Sequence, residues 1–123
     1  MIPVPTINQV ILDFYGVAMK DILIGYHFRH IDNFDGHILR ITQFWNLQLN
    51  GVIDDKSHLP FNFIELHRAL KVNKGEIFRW LKLFRDTLNQ HEVKGNIAEE
   101  HVLIWSYKAE VFAKKLDKFL FKE

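Results

Sequence analysis

Apolar residues recur at helical spacing along almost the whole chain. Ile7, Val10, Ile11, Phe14 and Val17 trace one stripe of a first helix, and Ile77, Trp80, Leu81, Phe84 and Leu88 trace another opposite the polar Arg79, Lys82, Arg85 and Asp86. Near the C-terminus, Ile104, Tyr107 and Val111 give way to Phe112, Leu116, Phe119 and Leu120, with Lys114, Lys115, Lys118 and Lys122 suited to the negative end of a helix dipole. Thr6 with Gln9, Asn73 with Glu76 and Asn96 with Glu99 all have the spacing of a capping box, in which each side chain answers the other residue's backbone N–H. Asp21 predicts a shorter helix reaching about His30. Asp32 or Asn33 begins the next, where His37, Ile41, Phe44 and Gln48 share a face with Arg40 beside them, and Gly51 suits its left-handed end. From Val52 to about Lys74 the period weakens. Asp54, Asp55, Ser57 and Pro60 mark loop there, followed by a short helical piece from about Phe63 to Leu70. Gly16, inside the first helix, costs about 1 kcal/mol relative to Ala unless another helix crosses closely there. The expected fold class is all-α, as one domain over residues 1–123.

Composition narrows the chemistry. A chain of 123 residues is long enough to bury about two thirds of its unfolded surface in a single core. With 25% charged residues and a net charge of +1, it is a poor match for nucleic acid or an anionic membrane, so neither is expected as a partner. No apolar stretch approaches a membrane span, and Asn8, Gln9 and Asp13 interrupt the first hydrophobic region where a secretory leader would be continuous. The absence of Cys removes disulfides, thiolate metal sites and cysteine nucleophiles, and the expected location is the cytoplasm. At 14% the aromatic content is high, which suits a core built against something large and flat.

Most catalytic signatures are missing. There is no glycine-rich phosphate loop, no His-Glu-x-x-His helix and no calcium loop, and neither Ser57 nor Ser106 sits in a glycine-flanked elbow. Asp54–Asp55 and Glu99–Glu100 are sequence neighbours whose side chains diverge on a helix, so they read as solvated charge. What remains is histidine in an aromatic, thiol-free helical protein. Imidazole is the natural ligand for haem iron where no thiolate exists. His37 on an apolar helix face and His67 in the following short segment could hold a flat macrocycle between them. On spacing alone, a hydrogen-bonded or partly exposed histidine is the commoner situation. His27, His30, His91 and His101 read as surface residues, and the i,i+3 pair His27 and His30 lacks the carboxylate partner of a good metal site.

The residues that change this balance are collinear over about positions 7 to 90. They are Phe14-Tyr15, the run Asp21 to Phe28, His37 eight residues before Trp45, Leu49-x-Gly51, His67-x-x-Leu70, and Phe78-Arg79-Trp80-Leu81-x-Leu83-Phe84-x-x-Thr87-Leu88. Together they resemble the group III truncated haemoglobins. The resemblance implies a two-over-two helical sandwich around haem b, with the segment bearing the proximal ligand mostly loop. Carried over residue by residue, it implies His67 as the iron ligand, and Tyr15, His37 and Trp80 as the distal pocket facing a bound gas. It implies Phe28 as the wedge against the haem, Arg40 as a propionate partner, and Phe44 and Trp45 as packing residues. The stretch from Trp45 to His67 is longer than the family pattern, and His58 in His58-Leu59-Pro60 competes for the iron; the distance from His67 to Trp80 favours His67.

The activity so implied is reversible binding of oxygen, nitric oxide or carbon monoxide. Nitric oxide dioxygenase or peroxidase-like turnover would require an external reductase, since no flavin or nicotinamide motif is present. The alternative is a globin-like helical module that senses through haem or has lost it and serves as an interaction protein.

Overall fold

Proline, rather than threonine, opens the first helix. The computed structural model describes residues 1–51 and 63–121. In it Pro3 stands at the N-cap and Pro5 in the first turn of α1 (Val4–Ala18). Pyrrolidine rings preset the helical φ and bring no orphan N–H, so a side-chain cap is unnecessary. Thr6 already donates its N–H to the Pro3 carbonyl at 3.0 Å, and Gln9 bonds Asp13 at 2.8 Å, so the expected capping box does not form. The buried face runs Ile7, Val10, Ile11, Phe14, Tyr15, Ala18, while Val17 is exposed: the stripe continues four residues on from Phe14, through a small side chain. Gly16 is exposed, and a Cβ there would meet nothing within 4 Å, so no second helix crosses at that point.

The helix expected from Asp21 to His30 is replaced by turns and a single 3-10 turn, Gly25–His27. Asp21 does accept from the Leu23 and Ile24 N–H groups, at 3.0 and 3.1 Å. Its other oxygen, however, meets Nη2 and Nε of Arg79 at 2.6 and 3.1 Å, which pins the segment to a distant helix. Gly25 is required by close approach: a Cβ there would lie 2.7 Å from both the Met19 carbonyl and the Arg29 guanidinium.

Helix α2 (Phe34–Asn50) begins and ends as its sequence predicts. The Asn33 side chain caps the Gly36 N–H, and Gly51, at φ 69°, returns its N–H to Leu47 at 2.9 Å. Helix α3 is short (Phe63–Ala69). Helix α4 (Lys74–Val93) has the predicted box, with Asn73 and Glu76 exchanging hydrogen bonds of 2.9 Å each. Helix α5 (Glu99–Phe121) does not. The carbonyl of Ala98 receives His101 and Val102, and the Asn96 amide turns to His91 at 3.1 Å. The buried face of α5 is Val102, Trp105, Ala109, Ala113 and Leu116, whereas Ile104 and Tyr107 are exposed. The expected stripe is out of register here because two alanines carry the packing.

Helices α1 and α2 form one pair, α4 and α5 the other; α1 crosses α4 and α3 rests on α5. This is the two-over-two sandwich, and no strand occurs among the described residues. At its centre Trp45 and Trp80 both stack on Phe84, with ring centroids 5.8 and 5.2 Å away and planes inclined by 19° and 10°. Phe14 meets Phe84 edge-on at 5.2 Å, and Trp105 is wholly buried. Each such ring buries roughly 150–250 Å², on the order of 4–6 kcal/mol of hydrophobic stabilisation before chain entropy is subtracted. Polar ties fix the pairs: Asn8 to Thr42 at 3.1 Å between α1 and α2, and Arg85 to Ser106 at 2.8 Å and to Glu110 between α4 and α5. No helix among the described residues is long and apolar enough to cross a membrane.

Candidate functional site

Large rings held apart by helix geometry leave space between them. The pairs enclose a cavity of about 680 Å³, within the size range of small-molecule sites. Its walls are mainly aromatic and aliphatic, with Phe14, Phe28, Phe44, Trp45, Trp80 and Phe84 among them. All six residues singled out for the pocket, Tyr15, Phe28, Arg40, His37, His67 and Trp80, line this one cavity. They arrive from four helices and the loop after α1, which is why no local motif announces the site.

Tyr15, on the buried face of α1, places its hydroxyl 2.7 Å from Nε2 of His37, in the first turn of α2. Burial pushes the Tyr15 phenol above its ordinary range, so it stays protonated. Burial, and then the charge of Arg40, hold the His37 imidazole below its ordinary value, so it stays neutral at pH 7. The pair is thus a neutral hydrogen bond. Phe28 and Phe34 meet the Tyr15 ring edge-on, at 5.1 and 6.0 Å, which fixes its rotamer. Trp80, half-buried on α4, is held by its stack on Phe84 and an edge contact from Phe14 at 5.9 Å. Its indole N–H has no hydrogen-bond partner among the described residues. Arg40 is half-buried and makes no ion pair among them, so a cation faces the cavity without a described counter-ion.

His67 is half-buried on α3, whose Glu65 and Leu66 share the lining with Leu70 in the turn that follows. Arg68 anchors this helix by donating to the Phe119 carbonyl at 3.2 Å, and Lys74 pairs with Asp117 at 3.4 Å just beyond it. His58, the competing ligand, and the Asp54–Asp55 pair lie outside the described residues. Glu99 and Glu100 are exposed, as solvated charge should be.

Two histidines read as surface residues are not. His91 is 3% exposed, between Asp13 at 2.8 Å and the Asn96 amide. His27 lines the cavity and meets the Glu76 carboxylate at 3.1 Å; Tyr26 also donates to Glu76. Burial works to raise the Glu76 carboxyl, but hydrogen bonds from Tyr26, the Asn73 N–H and His27 prevail and hold it below the usual range. Sequence spacing shows Glu76 only as a cap, because its second role depends on a loop folding back across α4. His30 is exposed, and no cluster of three metal-ligating side chains occurs among the described residues.

The residues fit a flat, largely apolar cofactor with acidic substituents: an aromatic slot, an imidazole from α3, a polar pair between α1 and α2, and a guanidinium with no ion-pair partner among the described residues. Among solved structures, the chain is similar to the crystal structure of a group III truncated haemoglobin from Campylobacter jejuni. The TM-score is 0.78 at 24% identity, over 99% of this chain and 94% of that one. No family model matches the chain, and no curated protein does. The likeness shows that the fold is that of a truncated globin.

Proposed function

We propose that this truncated-globin fold holds haem b and reversibly binds a diatomic gas: oxygen, nitric oxide or carbon monoxide. The observation that carries the reading is the single cavity shared by Tyr15, His37, Trp80, Phe28, Arg40 and His67. Haem would supply an iron that binds a diatomic gas, chemistry that no side chain provides. His67 is the residue to hold the iron, and Arg40, with no ion-pair partner among the described residues, suits a propionate. Phe28, whose ring meets that of Phe14 at 6.0 Å, would be the wedge against the macrocycle.

Tyr15 and Trp80 supply donors above the ligand. The Tyr15 hydroxyl has one proton, so it serves either His37 or a ligand. To serve a ligand it must accept from His37, which then carries its hydrogen on Nε2. Donors in a water-poor pocket favour a ligand with negative charge on its outer atom, so oxygen gains more than carbon monoxide. Release of oxygen is then slow, which suits consumption of the gas better than its delivery. Nitric oxide dioxygenation or peroxide use fits this pocket, with electrons from an external reductase, in a cytoplasmic setting.

Hemin titration tests the reading. A protein that takes up one equivalent and develops an intense Soret band supports it, and His67→Ala should abolish the ferrous five-coordinate spectrum while His58→Ala leaves it intact. A protein that stays colourless with hemin is a haemless module.

A further inference from the structure

One polar cluster on the cavity wall is left unused by the proposed function. Glu76 is 8% exposed; its Oε1 accepts the Asn73 N–H at 2.9 Å and faces His27 Nε2 at 3.1 Å, while Oε2 accepts from the Tyr26 hydroxyl. An ionised carboxylate can only accept, so the imidazole nitrogen facing it carries the hydrogen. This sets the tautomer. Nε2–H points to Glu76, and Nδ1, which has no hydrogen-bond partner among the described residues, is the basic atom. The ring lies 4.0 Å from that of Tyr26, which is 54% exposed, so the cluster runs from the solvent surface to the cavity lining.

We propose that His27 and Glu76 form a proton-linked charge site that tunes the redox state of the cavity's occupant. The inference rests on the haem reading. When the occupant gains one electron from an external one-electron reductant, His27 Nδ1 takes one proton from water; on oxidation the proton returns to water. The positive charge lost at the cavity centre is replaced on the imidazole, so occupant and wall together keep their net charge across the couple. Glu76 stays ionised throughout and stabilises whichever positive charge is present, in a setting where charges are weakly screened. His27→Gln and Glu76→Gln act on this site without touching the proposed iron ligand.

Other charged and titratable groups surround the same cavity or flank the segment that carries His27. Tyr15 on α1 is protonated, and His37 and Arg40 on α2 share the cavity, as do Glu65 and His67 on α3. Asp21 and Arg79 are paired with each other at 2.6 Å, and Arg29 donates to the Met19 carbonyl at 3.0 Å. Among the described residues Glu76 is the carboxylate in hydrogen-bond range of His27.

The test is spectroelectrochemistry of the haem-loaded protein across the imidazole range, from about pH 5.5 to 8.5. In the wild type the midpoint potential should fall with rising pH. His27→Gln, which keeps a donor for Glu76 but cannot titrate, should reduce that slope about twofold or more. Glu76→Gln, which preserves the capping box, should raise the potential and move the inflection to lower pH. Independently, nitrogen NMR of the diamagnetic carbon monoxide form of the wild type should show His27 as the Nε2–H tautomer, titrating in this range. Equal slopes in the wild type and His27→Gln overturn the inference and leave haem binding standing. So does an Nδ1–H tautomer or a His27 that does not titrate, a result that decides the matter even if a variant fails to fold. Failure of the wild type to bind hemin overturns both readings.

Discussion

The Tyr15 hydroxyl and His37 Nε2, 2.7 Å apart, join α1 to α2 inside the cavity. Neither group is charged at neutral pH, because burial disfavours phenolate and imidazolium alike. The contact is therefore an exchangeable hydrogen bond, and its hydroxyl can be turned to a ligand without breaking an ion pair.

Removing that hydroxyl should speed gas release. A net hydrogen bond is worth about 0.5–1.5 kcal/mol, so Tyr15→Phe should raise the oxygen dissociation rate several-fold to about tenfold. Carbon monoxide, less polar when bound, should respond less. Stopped-flow displacement measures both, and an unchanged oxygen rate would remove Tyr15 from the pocket chemistry.

Trp80→Phe separates the indole donor from the stack. Phenylalanine can keep the face-to-face arrangement with Phe84, now at 5.2 Å and 10°, while the N–H is lost. Oxygen release should accelerate by about two- to tenfold. A loss of urea stability with no kinetic change would assign Trp80 to packing alone.

The two glycines near the end of α1 should respond oppositely to alanine. At Gly16 the space is open and the backbone helical, so Gly16→Ala should stabilise by about 0.4–1 kcal/mol. At Gly25 the new methyl meets a backbone carbonyl at 2.7 Å, and Gly25→Ala should cost about 1–3 kcal/mol. Urea melts of the two variants give the comparison directly.

Asp21 should shape the acid limb of stability. The Arg79 hydrogen bond and, after it, the Ile24 and Leu23 N–H groups hold its carboxyl below the usual range, against an opposing effect of burial. A depressed native value means the unfolded chain binds the proton first, so this stabilisation is full above about pH 4 and fades as pH falls through the native value. Asp21→Asn should flatten that limb and leave the slope between pH 6 and 8 unaltered. Denaturant midpoints followed from neutral pH to about pH 3 provide the check.

Much of this structure is legible wherever a local rule also satisfies the global packing. Asn73 with Glu76 and Asn33 with Gly51 mark the ends of their helices because the local bonds form there, at Glu76 even while Tyr26 and His27 share the carboxylate. Asn96 fails as a cap because buried His91 takes its amide, and Thr6 fails because prolines have already started the helix. The register of α5 is hidden by Ala109 and Ala113, which weigh little in any hydrophobic pattern yet let Trp105 reach the core. The helical class follows from periodicity, whereas the two-over-two arrangement and the proposed site roles come from the resemblance. Glu76 escapes both routes, since its partners His27 and Tyr26 lie about fifty residues away, in a loop whose course periodicity does not describe.

The carboxamide of Asn50, at the last position of α2, accepts from the Ile2 N–H at 3.1 Å and donates to the Ile2 carbonyl at 2.8 Å, its second hydrogen going to Asn46. One side chain thus acts as a latch over the amino end of the polypeptide, copying with a single amide what a neighbouring strand would do. Fraying of that end and unwinding of the final turn of α2 are therefore one event, and their amide protons should exchange with solvent in step rather than separately.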